Sequence, residues 1–396
     1  MKHDDSFFEQ LPSIVKEVQP ICELSSYSIT PKLITQLREL YPHYPNEIIS
    51  RIIDLAIYSH RAKSASGYAG VMPWLFTEQT YVQSSEPAFA DHVIARLNVT
   101  SYTFIEICTG SGMHAYSACK HGAREVITYE LDPFIASLAK LNTIQHGYEI
   151  NSLCIDGSSA EVTSEDILWA DPSRRTNGKD RKKLSGIYAP DLTILIEKAR
   201  KAKRAGIKIA PGERIEGDYS KEFLGSGREC REQILWFNTD VIDGSVTLID
   251  KRKTFVPMAK GYLPKCVDKD SIRDYAYLLE PHPALIRGDL TSMYVEHDIA
   301  LIDGSIAYGL TNMLQDADWF THFRILHQEA YSRRRLQECI KQFQWNALTE
   351  IKKRGFPIEP DDIRKQLKFD ISSEKFGVVI LTRKDNDHQM FFCERV

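Results

Sequence analysis

Apolar residues recur at helical spacing through the first hundred positions, and from position 102 onward they gather into short runs. Within 31–60 they fall at 33, 34, 37, 40, 48, 49, 52, 53, 55 and 56, the rhythm of helices with one buried face. Pro42-His43-Tyr44-Pro45 interrupts that rhythm, which predicts two helices with a proline-marked junction. Residues 61–85 mix polar and aromatic side chains and read as an irregular connector placed to cover a ligand site. From 102 the runs alternate with helical segments, which predicts a mainly parallel α/β sheet. Its strands are expected at 102–107, 125–130, 151–155, 166–170, 206–210, 233–237 and 246–249. Asp243-Gly244 between the last two predicts an antiparallel hairpin at one edge. The glycine-rich, polar stretch 210–232 reads as loop. Beyond 269 the runs shorten and end in two strand-like segments, 377–382 and 390–393, with a turn signal at Asn386-Asp387, so a small α+β domain closing in a β-hairpin is expected. The predicted division is 1–95 helical, 96–268 α/β and 269–396 α+β.

The chemistry concentrates where the first of these strands ends. Glu106-Ile107-Cys108-Thr109-Gly110-Ser111-Gly112 puts a carboxylate and then two alternating glycines at the start of a helix-compatible segment, 113–121. Glycine lets backbone approach a ligand there, and the free N–H groups of the helix start point at it. The next strand ends in Glu130, where a ribose-binding acid is expected. Gly110-Ser111-Gly112-Met113-His114-Ala115 also fits the dinucleotide fingerprint, and the glycines alone do not separate NAD from S-adenosylmethionine. Two features favour the latter. Glu106 precedes the glycines, where it would repel a pyrophosphate and attract a cationic amino group. Asp171-Pro172 ends the fourth strand, at the carboxyl edge where such sheets bind ligands.

Composition narrows the class without changing that reading. Of 396 residues 43% are apolar and 26% charged, with net charge −4, as in soluble globular proteins. No window reaches the length of a membrane span, and the start lacks a signal-peptide pattern. The eight cysteines form no CxxC pair, so neither a disulfide framework nor a metal site is expected and a cytoplasmic location is. One local imbalance stands out: within 174–208 lysine and arginine outnumber acids twelve to three. Such a stretch either neutralises phosphates or forms the wet face of a surface helix.

These residues resemble class I S-adenosylmethionine-dependent methyltransferases: Glu106-x-x-x-Gly110-x-Gly112, Glu130, Asp156-Gly157 after the third strand and Asp171-Pro172 after the fourth. The resemblance implies a Rossmann-like seven-stranded sheet, with the glycine turn beneath the methionine portion, Glu130 on the ribose hydroxyls and Asp156 near the adenine amino group. A narrower resemblance covers nearly the whole chain. Asp171-Pro172-Ser173-Arg174-Arg175, Gly227-Arg228-Glu229-Cys230-Arg231-Glu232, Glu280-Pro281-His282-Pro283-Ala284-Leu285-Ile286-Arg287 and Ile351-Lys352-Lys353-Arg354-Gly355 are similar to a bacterial methyltransferase family with a C-terminal THUMP-like domain. That likeness implies RNA as partner and methylation of a base nitrogen. The family pattern has aspartate near position 114, where this chain has His114.

In amino-methylating relatives the fourth-strand motif is Asn/Asp-Pro-Pro-aromatic, and its first side chain and a backbone carbonyl accept hydrogen bonds from the target amino group. Here Asp171 and Pro172 are kept as the expected catalytic pair, while Ser173 and Arg174 replace the second proline and the aromatic. Ser173, Arg174 and Arg175 are therefore the expected substrate contacts, and an ion pair that only shapes the loop is the alternative for the arginines. His114 reads as a surface or capping residue, Trp169 as core and Cys108 as a small spacer. Lys352-Lys353-Arg354 reads as a phosphate contact or a solvated charge run. The competing functions are methylation of a small molecule or a protein side chain, a non-catalytic RNA-binding protein with the same fold, and an NAD-dependent dehydrogenase.

Overall fold

The computed structural model describes residues 5–65, 67–68, 73–174, 188–258 and 263–396. They fall into two compact units, Met1–Ser220 with Gln233–Val241 and Lys221–Glu232 with Ile242–Val396. Neither division coincides with the boundaries expected near 95 and 268, and the reason lies in the packing.

The first unit opens with five helices: α1 (Asp5–Leu24), α2 (Pro31–Leu40), α3 (Asn46–Ser64), α4 (Glu78–Gln83) and α5 (Pro87–Leu97). The expected junction is present between α2 and α3. Thr30 starts α2 by accepting the Leu33 N–H at 3.2 Å with Pro31 in the first turn, and Pro45 precedes α3, as start signals require. The helices do not close a core of their own. Leu11, Leu37, Ile52 and Trp74 share one cluster with Met113, Phe134 and Leu138, which belong to the two helices that cover the sheet, α6 (Met113–Lys120) and α7 (Pro133–Gln145).

The sheet of this unit is built from β1 (Thr103–Ile107), β2 (Glu125–Tyr129), β3 (Asn151–Leu153), β4 (Asp166–Ala170) and β7 (Arg204–Ile209), with the short pair β5 (Ser173–Arg174) and β6 (Tyr188–Ala189) and helix α8 (Leu192–Lys201) between the last two. β1 pairs in parallel with β2 and β4, β2 with β3, and β4 with β7. All five residues of β1 are buried, as in a parallel strand covered on both faces. The chain then runs through β8 (Ser220–Ser226) and β9 (Glu229–Phe237), and β9 lies antiparallel to β7. Within this unit the strands stand in the row β3-β2-β1-β4-β7-β9, six of the seven expected; the seventh, 246–249, belongs to the second unit.

The expected hairpin between 233–237 and 246–249 is absent, and the hairpin lies earlier. β8 and β9 are neighbours joined through Gly227, which has φ +59°, and a connection this short forces an antiparallel pair. β10 (Ser245–Leu248) instead runs parallel to β8 and antiparallel to β11 (Lys253–Phe255). Asp243-Gly244 makes no hairpin turn. The Asp243 carboxylate accepts the Lys221 N–H at 3.0 Å and the Gly244 N–H donates to the Lys221 carbonyl at 2.9 Å, which sets β10 beside β8.

The rest of the second unit is α+β, with its elements between Tyr277 and Arg395. Its elements are β12 (Tyr277–Pro281), α9 (Pro283–Arg287), α10 (Leu290–Glu296), β13 (Ala300–Asp303), β14 (Ile306–Thr311), β15 (Phe320–Ala330), α11 (Arg333–Gln342), β16 (Glu350–Lys353), α12 (Pro360–Arg364), β17 (Val378–Lys384) and β18 (Asp387–Arg395). Seven of them form a sheet in the order β13-β14-β12-β15-β18-β17-β16, antiparallel except for β16 beside β17. The predicted closing hairpin is β17–β18. Its residues alternate between two cores: Val378, Ile380, Phe391 and Cys393 face one cluster, and Val379, Leu381, Met390 and Phe392 the other. Burial on both faces explains why these strands are unbroken apolar runs.

Three of the segments singled out in the sequence meet inside this unit. His282 bonds the Gly227 carbonyl at 3.0 Å, and Glu280 lies 3.8 Å from Arg228 and 2.8 Å from Lys352. Lys353 pairs with Glu359, and Arg354 lies over the Tyr308 ring. The charge run at 352–354 is thus engaged in intramolecular contacts.

Candidate active site

The turn after β1 is shaped by backbone that only certain residues tolerate. Cys108, Gly110 and Gly112 have φ of +63°, +56° and +86°, in the left-handed region that favours glycine. The two glycines serve different ends. A β-carbon on Gly112 would sit 3.1 Å from the Ala139 side chain, so its absence lets α7 approach the turn; a β-carbon on Gly110 would meet nothing within 4 Å. The space above Gly110 is open.

Neighbouring elements hold this turn in place. The Glu130 carboxylate accepts the Gly110 N–H at 3.1 Å with one oxygen and the Leu131 and Asp132 N–H groups at 2.8 and 3.1 Å with the other. The buried Asn142 side chain donates to the Ser111 carbonyl and the Leu75 carbonyl, both at 3.0 Å, and accepts the Leu75 N–H at 2.9 Å. Ser84 and Ser111 hydroxyls lie 2.9 Å apart. The connector 61–85, expected to be irregular, therefore carries α4 and is pinned onto the glycine turn. Asn142 was not foreseen, although its place on the apolar face of α7, beside buried Leu138 and Ala139, is a signal that sequence offers.

Behind the turn lies a buried polar group. Glu106 is 1% exposed, its Oε1 is 3.8 Å from His114 Nδ1, and its Oε2 has no hydrogen-bond partner. Burial, and then the nearby Asp171 and Glu130 carboxylates, push its pKa well above the usual glutamate range, opposed by the Ala115 N–H. Burial and then Lys208 pull His114 well below the usual histidine range. Both shifts favour the uncharged forms. His114 is thus core rather than a surface or capping residue, with its ring 4.7 Å from that of Trp169. Trp169 is fully buried, as expected.

The loops after the third and fourth strands complete the edge. Asp156 accepts the Ser158 N–H at 2.7 Å, and a β-carbon on Gly157 would lie 2.3 Å from Ile107, so that glycine is required by packing. The Asp171 N–H donates to the Ile107 carbonyl at 3.1 Å, and the buried Pro172 follows. Lys208 on β7 donates to the Asp171 carboxylate at 2.8 Å and to the Ser85 hydroxyl at 3.1 Å. Ser173 and Arg174 are exposed and pair with Ala189 and Tyr188, and Arg174 donates to Glu213 at 2.6 Å. Arg175 lies outside the described residues. Cys108 Sγ is 3.7 Å from the Ala189 carbonyl, and burial pushes its thiol up to about 12, which suits a spacer and not a nucleophile.

Other described cations of the basic stretch also serve the fold. Lys198 donates to the Ala160 carbonyl at 2.6 Å, and Arg204 to the Leu97 and Asn98 carbonyls at 2.7 and 2.9 Å, neutralising the C-terminal end of α5. Lys203 and Arg204 lie over the Tyr102 ring. Lys179, Arg181, Lys182 and Lys183 lie outside the described residues. Among the described residues, Glu106, Glu130, Asp171 and Lys208 are ionisable groups brought together at this edge. The open space at Gly110 and the unpartnered oxygen of Glu106 suit a small cofactor with a cationic end.

The C-terminal residues 321–395 match a family model described as THUMP domain-like. None of the curated proteins matches the sequence. Among solved structures, a candidate methyltransferase from Porphyromonas gingivalis W83 has a TM-score of 0.68 at 16% identity, with 100% of both chains covered. At that identity the likeness is one of fold. A candidate RNA methyltransferase from Pyrococcus horikoshii covers 32% of this chain and 61% of its own at 15% identity, with a TM-score of 0.26. A tRNA (m1A58) methyltransferase from Aquifex aeolicus covers 32% of this chain and 48% of its own at 18% identity, with a TM-score of 0.25; neither carries weight at that score. Among the described residues no helix is long and apolar enough to cross a membrane.

Proposed function

We propose that this chain is a cytoplasmic S-adenosylmethionine-dependent methyltransferase that methylates a base nitrogen of RNA. The observation that carries the reading is the latch between Gly110 and Glu130 at the carboxyl edge of β1 and β2, with open space over Gly110 and Asp171 at the end of the neighbouring β4. Sheets of this kind bind ligands at the carboxyl ends of their strands, so a ligand lying over β1 and β2 would have Asp171 at the end of the neighbouring β4. The whole-chain fold likeness to a protein that bears a methyltransferase name supports the reaction class, and the THUMP domain-like match supports RNA as partner.

In this proposal Gly110 and Gly112 lie beneath the methionine portion, Glu130 holds the ribose hydroxyls and Asp156 with Gly157 borders the adenine. Glu106 offers its unpartnered oxygen to the cofactor's ammonium, whose charge would draw the carboxyl toward its ionised form. When bound, the cofactor supplies a methyl group on a sulfonium. The protein's own work is to place the acceptor nitrogen and receive hydrogen bonds from it. Asp171 and the Pro172 carbonyl take that role, with Lys208 holding the Asp171 carboxylate in place. Ser173, Arg174 and Arg175 border the acceptor.

A second reading, a small acceptor bearing a carboxylate or phosphate, rests on Arg174 standing where amino-methylating enzymes carry an aromatic ring. Nucleoside profiling of RNA from cells lacking the gene distinguishes the two. Loss of one methylated nucleoside is the expected result; an unchanged profile favours the small acceptor.

A further inference from the structure

We propose that His327, Glu329 and Cys339 in the second unit bind a zinc ion that ties β15 to α11. The three ligand atoms come from a strand and from the helix packed upon it, and all lie within 4.8 Å of one another. Glu329 Oε1 occupies the middle, 3.2 Å from His327 Nε2 and 3.2 Å from Cys339 Sγ. Zinc bonds to nitrogen, oxygen and sulfur of about 2.0–2.3 Å in a tetrahedron place ligand atoms roughly 3.3–3.8 Å apart. Two sides of this triangle are close to that spacing, and the third is at most 4.8 Å.

The backbone arranges the convergence. β15 carries a bulge between Ile325 and His327, where Ile325 opposes Cys393 and His327 opposes Phe392. Cys393 and Phe392 face different cores, so the bulge turns His327 to the face opposite that of Ile325. Glu329, two residues on, shares the new face, and this is the face on which α11 packs with Leu336, Cys339 and Ile340. A bulge that re-aims a side chain commonly marks a site. Without it His327 and Glu329 would point away from Cys339.

The surroundings suit one soft ligand and two harder ones. Arg335 donates to Glu329 Oε2 at 3.1 Å and to Glu338 at 2.7 Å, which anchors Oε2 and presents Oε1 to the imidazole and the thiol. Cys339 is 1% exposed while the His327 side chain is 40% exposed, so an ion enters from the histidine side and water completes the coordination. A thiolate with imidazole and carboxylate selects zinc or cobalt over calcium or magnesium. Zinc binding to the Cys339 sulfur releases the thiol proton to solvent. A site assembled across a strand and a helix has no CxxC spacing, which is why the cysteine pattern gave no sign of it. The proposal is independent of the methyl-transfer reading.

The test uses the full-length protein, stripped with chelator and titrated with Zn2+ or Co2+. One equivalent is expected to bind and raise the melting temperature, and the cobalt protein to show a thiolate-to-cobalt charge-transfer band. Cys339→Ser should remove the band. His327→Ala and Glu329→Gln, both at more accessible positions, should fold and weaken binding by about tenfold or more. Cys266→Ser, at an exposed cysteine outside the cluster, should change nothing. Failure to bind one equivalent, or a band and affinity unaltered in folded His327→Ala and Glu329→Gln, would overturn the proposal and leave the cluster as a hydrogen-bond network.

Discussion

The glycine turn after β1 and the loop after β4 lie at one edge of the same sheet, yet they are held by different forces. Backbone constraints build the turn: left-handed φ at Gly110 and Gly112, a close approach at Gly157, and N–H groups latched to Glu130. Side-chain ion pairs build the loop: Asp171 to Lys208 and Arg174 to Glu213. A backbone constraint leaves a mark in sequence, because few residues satisfy it. An ion pair between strands far apart in sequence leaves almost none.

The largest expected effect tests the turn itself. Gly110→Trp fills the open space above the backbone and should abolish S-adenosylmethionine binding in a calorimeter. The left-handed φ should cost only about 1–2 kcal/mol of stability, so circular dichroism should report a folded protein. Gly157→Ala separates ligand demand from packing demand. Its methyl would meet Ile107, and denaturant unfolding should show a loss of about 1–3 kcal/mol.

Lys208→Ala probes the other side of the comparison. Asp171 would lose its ammonium partner, and methyl transfer should fall about tenfold, a loss of about 1.4 kcal/mol in transition-state stabilisation. Cofactor affinity should stay within a factor of about three, measured by calorimetry beside a turnover assay. Equal losses in both would show that Lys208 serves the cofactor side.

The buried acid behind the turn gives a pH dependence of defined sign. Glu106 has a folded pKa raised above the ordinary 4.5, so its contribution to stability is complete below about that pH and is lost as pH rises through the folded value. His114, held below the ordinary 6.5, acts in the opposite sense and contributes stability above that value that is lost as pH falls through its folded value. Glu106→Gln keeps the shape without the titration. Its stability relative to the parent should therefore increase as pH rises above 4.5, read as melting temperature across a pH series; a constant difference would contradict the burial argument. Arg174→Ala should have the smallest structural effect, under about 1 kcal/mol for an exposed pair. A fall in kcat/KM at unchanged melting temperature would place Arg174 on the acceptor.

The sequence made much of the first unit legible and less of the second. The strand-turn-helix repeat from 102 to 170 was readable because buried parallel strands are short apolar runs between helices, and the junction before Pro45 because proline stops helices. β8 was missed since Lys221, Glu222 and Gly225 obscure its buried Phe223 and Leu224. The Asp243-Gly244 signal was misread because the same dipeptide that makes hairpin turns here fixes a parallel neighbour. At the site, Glu130 and the glycines stood out by spacing. Lys208 did not, because its partner is 37 residues away and it sits among eleven other cations. His114 looked like a surface residue until the fold buried it against Glu106 and Trp169.

Calorimetric titration of the purified full-length protein with S-adenosylmethionine and S-adenosylhomocysteine tests the central claim most directly. The account predicts one site per chain that saturates at micromolar concentrations for both ligands and is lost in Gly110→Trp. No measurable heat for either ligand, or equal binding in the tryptophan variant, would contradict it.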